Sequence, residues 1–227
     1  MPYFLLIGFV YCFGFGLLIF YVSRRNQNSG FRFAGVGFFI LGIGLAAELF
    51  LGNKFDENAL RVFYLCRIML PAAWLGHPFI SRNWSSKPNG RWLGYGLLAA
   101  SFIGTVLLLN TSITLAQNWF DPKQPVFTQY SDILATNRPT RALAILLSCY
   151  GALGLMITPV LAIWKQGLGM EWQGWIFIGI LILGTLGLFL PFWDRISVTV
   201  GSYYLIECLT PVASFMGIRY FMYRQFA

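Results

Sequence analysis

Seven apolar stretches, each long enough to cross a membrane as a helix, follow one another along the sequence. They are residues 3–22, 33–51, 60–80, 92–109, 142–164, 174–192 and 197–220. A membrane-spanning helix needs about 20 mostly apolar residues, because lipid offers its backbone polar groups no partner outside the helix. Only 11% of the 227 residues are charged, whereas a soluble domain carries about a quarter. We therefore predict an all-α polytopic membrane protein, with residues 1–227 forming a single transmembrane domain of seven helices.

Basic residues concentrate in alternate loops between these stretches. They are Arg24, Arg25 and Arg32 in the first loop, Arg82, Lys87 and Arg91 in the third, Lys165 in the fifth, and Arg219 and Arg224 at the C-terminal end. Cytoplasmic loops carry an excess of Lys and Arg. We therefore expect an external N-terminus, an external loop over residues 110–141 and a cytoplasmic C-terminus, in a bacterial plasma membrane. The same rule accounts for the net charge of +8, so no nucleic-acid partner is predicted.

The third and seventh stretches share a sequence pattern. Tyr64, Leu65, Pro71 and Ala73 match Tyr204, Leu205, Pro211 and Ala213 without a gap, and Arg67 matches Glu207. A duplication would give a 3+1+3 plan, with parallel repeats at residues 1–82 and 140–227 and the helix at residues 92–109 as the linker. Apolar helices use few residue types, so a chance match explains the pattern equally well. We keep both interpretations.

Three ionisable residues lie within the apolar stretches: Glu48, Arg67 and Glu207. Such groups are costly in lipid and face the bundle interior. Counted along their helices, all three lie in the outer half of the membrane or near its middle, so we expect them to meet, with Tyr203 and Tyr204 beside them. A structural salt bridge between helices is one interpretation. A ligand or ion site is the other, and two acids with one base favour a cation, an amine or a proton.

His77 is the only histidine in the sequence, at the cytoplasmic end of the third stretch. A bis-histidine haem is therefore excluded within this chain. We expect an interfacial histidine rather than an axial ligand to a pigment or a haem. The last stretch contains no lysine, which excludes a retinal protein. We predict no catalytic residues, no metal site and no cofactor.

Several short motifs resemble an uncharacterised family of bacterial seven-helix integral membrane proteins. They are residues 44–48, Tyr64-Leu65 through residues 73–76, and residues 204–207. Arg67 and Pro71 depart from the family's pattern, in which small or aliphatic residues are usual at those positions. The resemblance implies a seven-helix membrane fold and supplies no function.

Three functional hypotheses follow. The first is a non-enzymatic accessory subunit or sensor-like module that contacts partner membrane proteins within the lipid bilayer, because the chain leaves no room for a soluble output domain. The second is a small-solute or cation transporter with a site around Glu48, Arg67 and Glu207; its ligand is not identified. The weakest is an isoprenoid- or lipid-modifying enzyme. Residues 193–201 resemble a stretch of membrane lycopene cyclases, but the Pro-x-Glu-Glu motifs of those enzymes are missing.

Overall fold

The computed structural model describes residues 2–25, 30–84, 89–111, 138–157, 172–189 and 200–223, and these residues are helical apart from short turns. The α-helices are α1 (Pro2–Arg25), α2 (Gly30–Leu51), α3 (Glu57–Phe63), α4 (Pro71–Trp84), α5 (Asn89–Leu109), α6 (Arg138–Ala152), α7 (Trp172–Phe189) and α8 (Val200–Tyr223). Two π-helical segments, Tyr64–Met69 and Leu153–Ile157, follow α3 and α6. The described part of the chain contains no strand, so the all-α prediction is confirmed there.

Five helical spans are long and apolar enough to cross a membrane: Tyr3–Arg25, Gly30–Leu51, Glu57–Ser81, Trp92–Leu109 and Arg138–Met156. Each overlaps one of the first five predicted stretches, although the fifth begins at Arg138 rather than at residue 142. In the sixth stretch the apolar part of α7 that counts as a helix is shorter, at Gly179–Leu188. Helix α8, in the seventh stretch, is not one of the five spans. A membrane protein is therefore supported, whereas the count of seven, the orientation and the repeat stay predictions. Most of the predicted external loop and of the cyclase-like stretch lies outside the described residues.

The third span lies at the centre of the bundle. In its most apolar 18-residue stretch 78% is buried, compared with 28% in the first span and 22% in the fourth. Helices α2, α5 and α6 all pack against α4. By contrast, α1 and α5 present large apolar side chains outward, including Leu17, Tyr21, Trp92 and Phe102. Lipid is the natural environment of such a surface, because transferring apolar side chains from water into an apolar medium is favourable.

Local sequence explains the shape of the third span. Asp56 caps α3, since its side chain accepts a hydrogen bond of 2.8 Å from the amide of Ala59. Pro71 has no N–H, so it leaves the carbonyl of Arg67 without its usual helical donor. Just before it the amide of Leu70 bonds the carbonyl of Leu65, five residues back, at 3.0 Å. This wider turn is the end of the π segment that carries Arg67.

Helix α8 contains the matching proline, Pro211, yet it is α-helical throughout its described length. The gapless sequence match between the third and seventh stretches therefore does not give the two helices the same local structure.

Glycines bring α4 into direct backbone contact with α6 and with the π segment that follows α6. A Cβ built on Gly151 would lie 2.2 Å from the carbonyl carbon and oxygen of Ala72, and one on Gly154 would lie 2.3 Å from the carbonyl oxygen of Gly76. Small residues allow this approach in membrane proteins, where dispersion contacts replace the hydrophobic effect between helices. The contact holds the fifth span against the central one.

This packing predicts the effect of one added methyl group. We expect Gly151→Ala to lower the free energy of unfolding by ~1–3 kcal/mol, because overpacking must push two backbones apart. Gly14→Ala is the matched control, since nothing lies within 4 Å of a Cβ at Gly14; it should leave stability unchanged or slightly raised. Unfolding in mixed micelles, followed by circular dichroism, measures both variants. Equal stability of the two would contradict the contact.

Candidate functional site

Three ionisable side chains from three helical segments meet in the interior, and we call them with Tyr203 the ion cluster. Glu48 of α2, Arg67 of the π segment and Glu207 of α8 are each only 1% exposed. Arg67 Nη2 forms an ion pair with Glu207 Oε1. The hydroxyl of Tyr203 donates to Glu48 Oε1 at 3.1 Å. The structure thus brings together the intramembrane charges that the sequence singles out.

Close backbone contact positions the ion cluster. A Cβ on Gly44 would lie 2.7 Å from the carbonyl of Cys66 and 2.8 Å from the amide nitrogen of Arg67. Glu48 follows Gly44 by four residues, on the same face of α2. On the other side Gly8 of α1 packs against the carbonyl of Glu207, with its Cβ position 3.6 Å from that oxygen. The charged groups are therefore held by packed backbones rather than by long flexible side chains alone.

Helix α7 supplies one more hydrogen-bond partner for Arg67, which the sequence pattern does not predict. Arg67 Nη2 donates to the carbonyl of Gly187 at 3.4 Å. The same glycine lies against Thr210 of α8, because a Cβ on it would fall 2.0 Å from Thr210 Oγ1. A backbone carbonyl leaves no mark in a sequence pattern. The glycine spacing of α7, with Gly184 and Gly187 three residues apart, is the available signal of a close approach.

Several buried polar atoms of this region make no hydrogen bond with any residue that the structure describes. They are Glu48 Oε2, Glu207 Oε2, Arg67 Nε, Arg67 Nη1 and Ser214 Oγ. Glu48 and Glu207 therefore each have one carboxylate oxygen available to accept a further hydrogen bond. Arg67 likewise has N–H groups available to donate one. Two acids face one base, so with all groups ionised the ion cluster carries one excess negative charge.

Tyr204 lies at the edge of the ion cluster. It is half-buried, and its ring centroid is 5.3 Å from that of Tyr203. Glu48 and Glu207 are both within electrostatic range of its hydroxyl. Tyr203 bonds a carboxylate directly, whereas Tyr204 packs beside it.

His77 lies away from the ion cluster and inside the bundle. It is 2% exposed, and its Nδ1 is 2.7 Å from the hydroxyl of Tyr150 on α6. Ten residues separate it from Arg67 on the same span, about 15 Å at the usual helical rise. The structure pairs it with a tyrosine that the sequence analysis does not connect to it.

A metal centre has no support among the described residues, where His, Cys, Asp and Glu form no group of three or more. Comparison with known proteins adds no guide either, because no protein-family model, curated protein or solved structure matches the chain. The ion cluster has to be interpreted from its own chemistry.

The buried ion pair predicts a large stability difference between two arginines of the same span. We expect Arg67→Leu to lower the free energy of unfolding by ~3–5 kcal/mol, because it leaves Glu207 ionised and unpaired in an apolar interior. Arg61→Leu removes a partly exposed pair, with 3.7 Å between Arg61 and Glu57, and should cost about 1 kcal/mol or less. Denaturation in mixed micelles compares the two.

A double variant separates charge from packing. Arg67→Leu combined with Glu207→Leu removes both members of the pair, so most of the lost stability should return. If Arg67→Leu were as mild as Arg61→Leu, the ion pair would have no structural role.

Proposed function

We propose that the protein is a membrane transporter that binds and releases a proton or another small cation at the ion cluster, with Glu48 as the binding residue. The single observation that carries this proposal is the charge count: two fully buried carboxylates face one guanidinium. The function corresponds to the second hypothesis from the sequence.

The excess charge belongs to Glu48. Arg67 and Glu207 neutralise each other through their ion pair, whereas the bonded partner of Glu48 is the neutral hydroxyl of Tyr203. An ionised carboxylate without a counter-ion is costly in an apolar interior. A proton or a cation on Glu48 offsets that cost, and its second oxygen makes no bond with a described residue.

Occupancy of Glu48 also affects its neighbours. Glu48 interacts electrostatically with both Glu207 and Arg67, so a bound positive charge weakens its repulsion of Glu207 and its attraction to Arg67. These residues belong to α2, the π segment and α8. A cation that binds one arrangement of these helices better than another shifts the population between them, which is the requirement for transport.

The finer membrane topology belongs to the same proposal. We place α7 and α8 as the sixth and seventh spans of a bacterial plasma-membrane protein with an external N-terminus. Their contacts support an antiparallel pair, because Gly184 faces Ser214 and Gly217 faces Leu181. The basic loops support the orientation. The 3+1+3 duplication remains a hypothesis that rests on the sequence pattern.

The accessory-subunit hypothesis draws less support from the described residues. The outward side chains of α1 and α5 are apolar, and lipid covers such a surface as well as a partner protein does. The enzyme hypothesis has no set of catalytic side chains in the described part of the chain. The ion cluster is the feature that needs a functional explanation.

Flux through proteoliposomes tests the proposal. Purified protein is reconstituted with a pH-sensitive dye inside, and a potassium diffusion potential with valinomycin drives cation entry. We expect acidification above that of empty liposomes, and a loss of roughly tenfold or more in Glu48→Gln, because the amide cannot bind the cation. Glu57→Gln is the matched control, since Glu57 is exposed at the start of α3, and its flux should equal that of the natural chain.

Other outcomes would overturn the proposal. Natural protein with no flux above that of empty liposomes, for protons or for sodium and potassium followed with their own dyes, would exclude this transport. Equal flux in Glu48→Gln and the natural chain would remove Glu48 from it. Recovery of the inactive chain with a fixed set of membrane proteins would favour the accessory subunit.

A further inference from the structure

Another buried titratable side chain, His77, lies near the C-terminal end of the central span. The imidazole of His77 is 2.7 Å from the hydroxyl of Tyr150, and its ring centroid is 4.4 Å from that of Phe33. Gly94 of α5 closes a third side, with its Cβ position 3.8 Å from His77 Nε2. Three helices, α2, α5 and α6, therefore surround the ring.

Among the residues whose side chains the structure describes, the other ring contacts of His77 are apolar. Of the residues on α2, α5 and α6 that the structure describes in contact with the ring, Tyr150 carries the titratable group. No described carboxylate or basic side chain lies close enough to His77 to stabilise or destabilise its charged form. His77 therefore forms no ion pair with a described residue, whereas Arg67 is paired with Glu207.

The chemistry of this pair suits proton exchange. A neutral imidazole has one donor and one acceptor nitrogen, so it can accept a proton on one side and release one on the other. The tyrosine hydroxyl can turn to act as donor or acceptor. Because a buried imidazolium without a counter-ion is costly, His77 would hold an extra proton only briefly.

Placement connects the pair with the ion cluster. His77 follows Arg67 by ten residues on the same span, about 15 Å along the helix, which is about half of a ~30 Å hydrocarbon core. Helix α2 also contacts both centres, with Glu48 near its C-terminal end and Phe33 near its N-terminal end. The two centres thus lie at different depths along one packed pair of helices.

We propose that His77 and Tyr150 form a second proton-binding site, through which the proton exchanged at Glu48 reaches or leaves the opposite membrane surface. The route rests on the proposed function, and it commits that function to a proton rather than a metal cation.

Proton flux in the liposome assay tests the route. We expect His77→Gln to lower flux by roughly tenfold or more, because glutamine does not take up a proton, and Tyr150→Phe to lower it by a smaller factor. Ser148→Ala is the matched control; it removes a buried hydroxyl of α6 that bonds the carbonyl of Ile68 at 3.4 Å, and its flux should not change. Natural flux in His77→Gln, with circular dichroism unchanged, would overturn the route.

A spectroscopic measurement keeps the site testable apart from transport. Because His77 is the only histidine, a full-length chain with ¹⁵N-labelled histidine and a histidine-free tag gives one imidazole signal in lipid nanodiscs. Because an imidazolium without a counter-ion is costly in this environment, we expect the signal of a neutral imidazole at about pH 7. Acidification should protonate the ring, and Tyr150→Phe should shift the midpoint of that titration. If the liposomes show no flux but the signal titrates, the proposed function fails and the proton site stands. A signal that stays neutral at every acidic pH at which the protein remains folded would overturn the site.

Discussion

The ion pair between Arg67 and Glu207 is the interaction on which the rest of the interior depends. Either charge alone would be costly in this apolar interior, so the π segment and α8 have to present the two groups to each other. Gly44 allows α2 to approach the backbone of the π segment, and Gly187 allows α7 to approach the side chain of Thr210 on α8. Glu48 of α2 accepts a hydrogen bond from the hydroxyl of Tyr203. The ion pair thus lies where α2, the π segment, α7 and α8 meet, and Glu48 adds a second carboxylate to the same interior.

Much of this arrangement can be predicted from the sequence, because lipid imposes strong rules on composition. Apolar length marks the helices, and in the residues it describes the structure confirms an all-α fold with five helices long and apolar enough to cross a membrane. The rule that charged groups face the bundle interior is sufficient to select Glu48, Arg67 and Glu207 as one group. Tyr203 follows from its spacing to Glu207, four residues along the same helix face. These inferences use local patterns and one general cost, that of a charge in lipid.

Other features depend on three-dimensional contacts that no local pattern records. The carbonyl of Gly187 becomes a partner of Arg67 only because α7 packs against α8 through glycines. Tyr150 meets His77 because glycine contacts set the height of α6 against α4. The sequence analysis places His77 at the interface from its position near the end of an apolar stretch, whereas the structure encloses it among three helices. The orientation in the membrane and the internal repeat rest on the sequence alone, because contacts between helices do not show which side of a membrane a loop faces or whether two helices arose by duplication.

The π segment has a consequence for the whole central span. One extra residue in a turn rotates everything after it by about 100° relative to an ordinary helix. Residues after Pro71 therefore point in other directions around their helix axis than the matching residues after Pro211 do around theirs. The two sequences match without a gap, but the helix faces that they form differ. Closing the wide turn would swing the imidazole of His77 away from Tyr150 while Arg67 kept its place beside Glu207. The π segment Tyr64–Met69 therefore determines which face of the central span carries His77 relative to the face that carries Arg67.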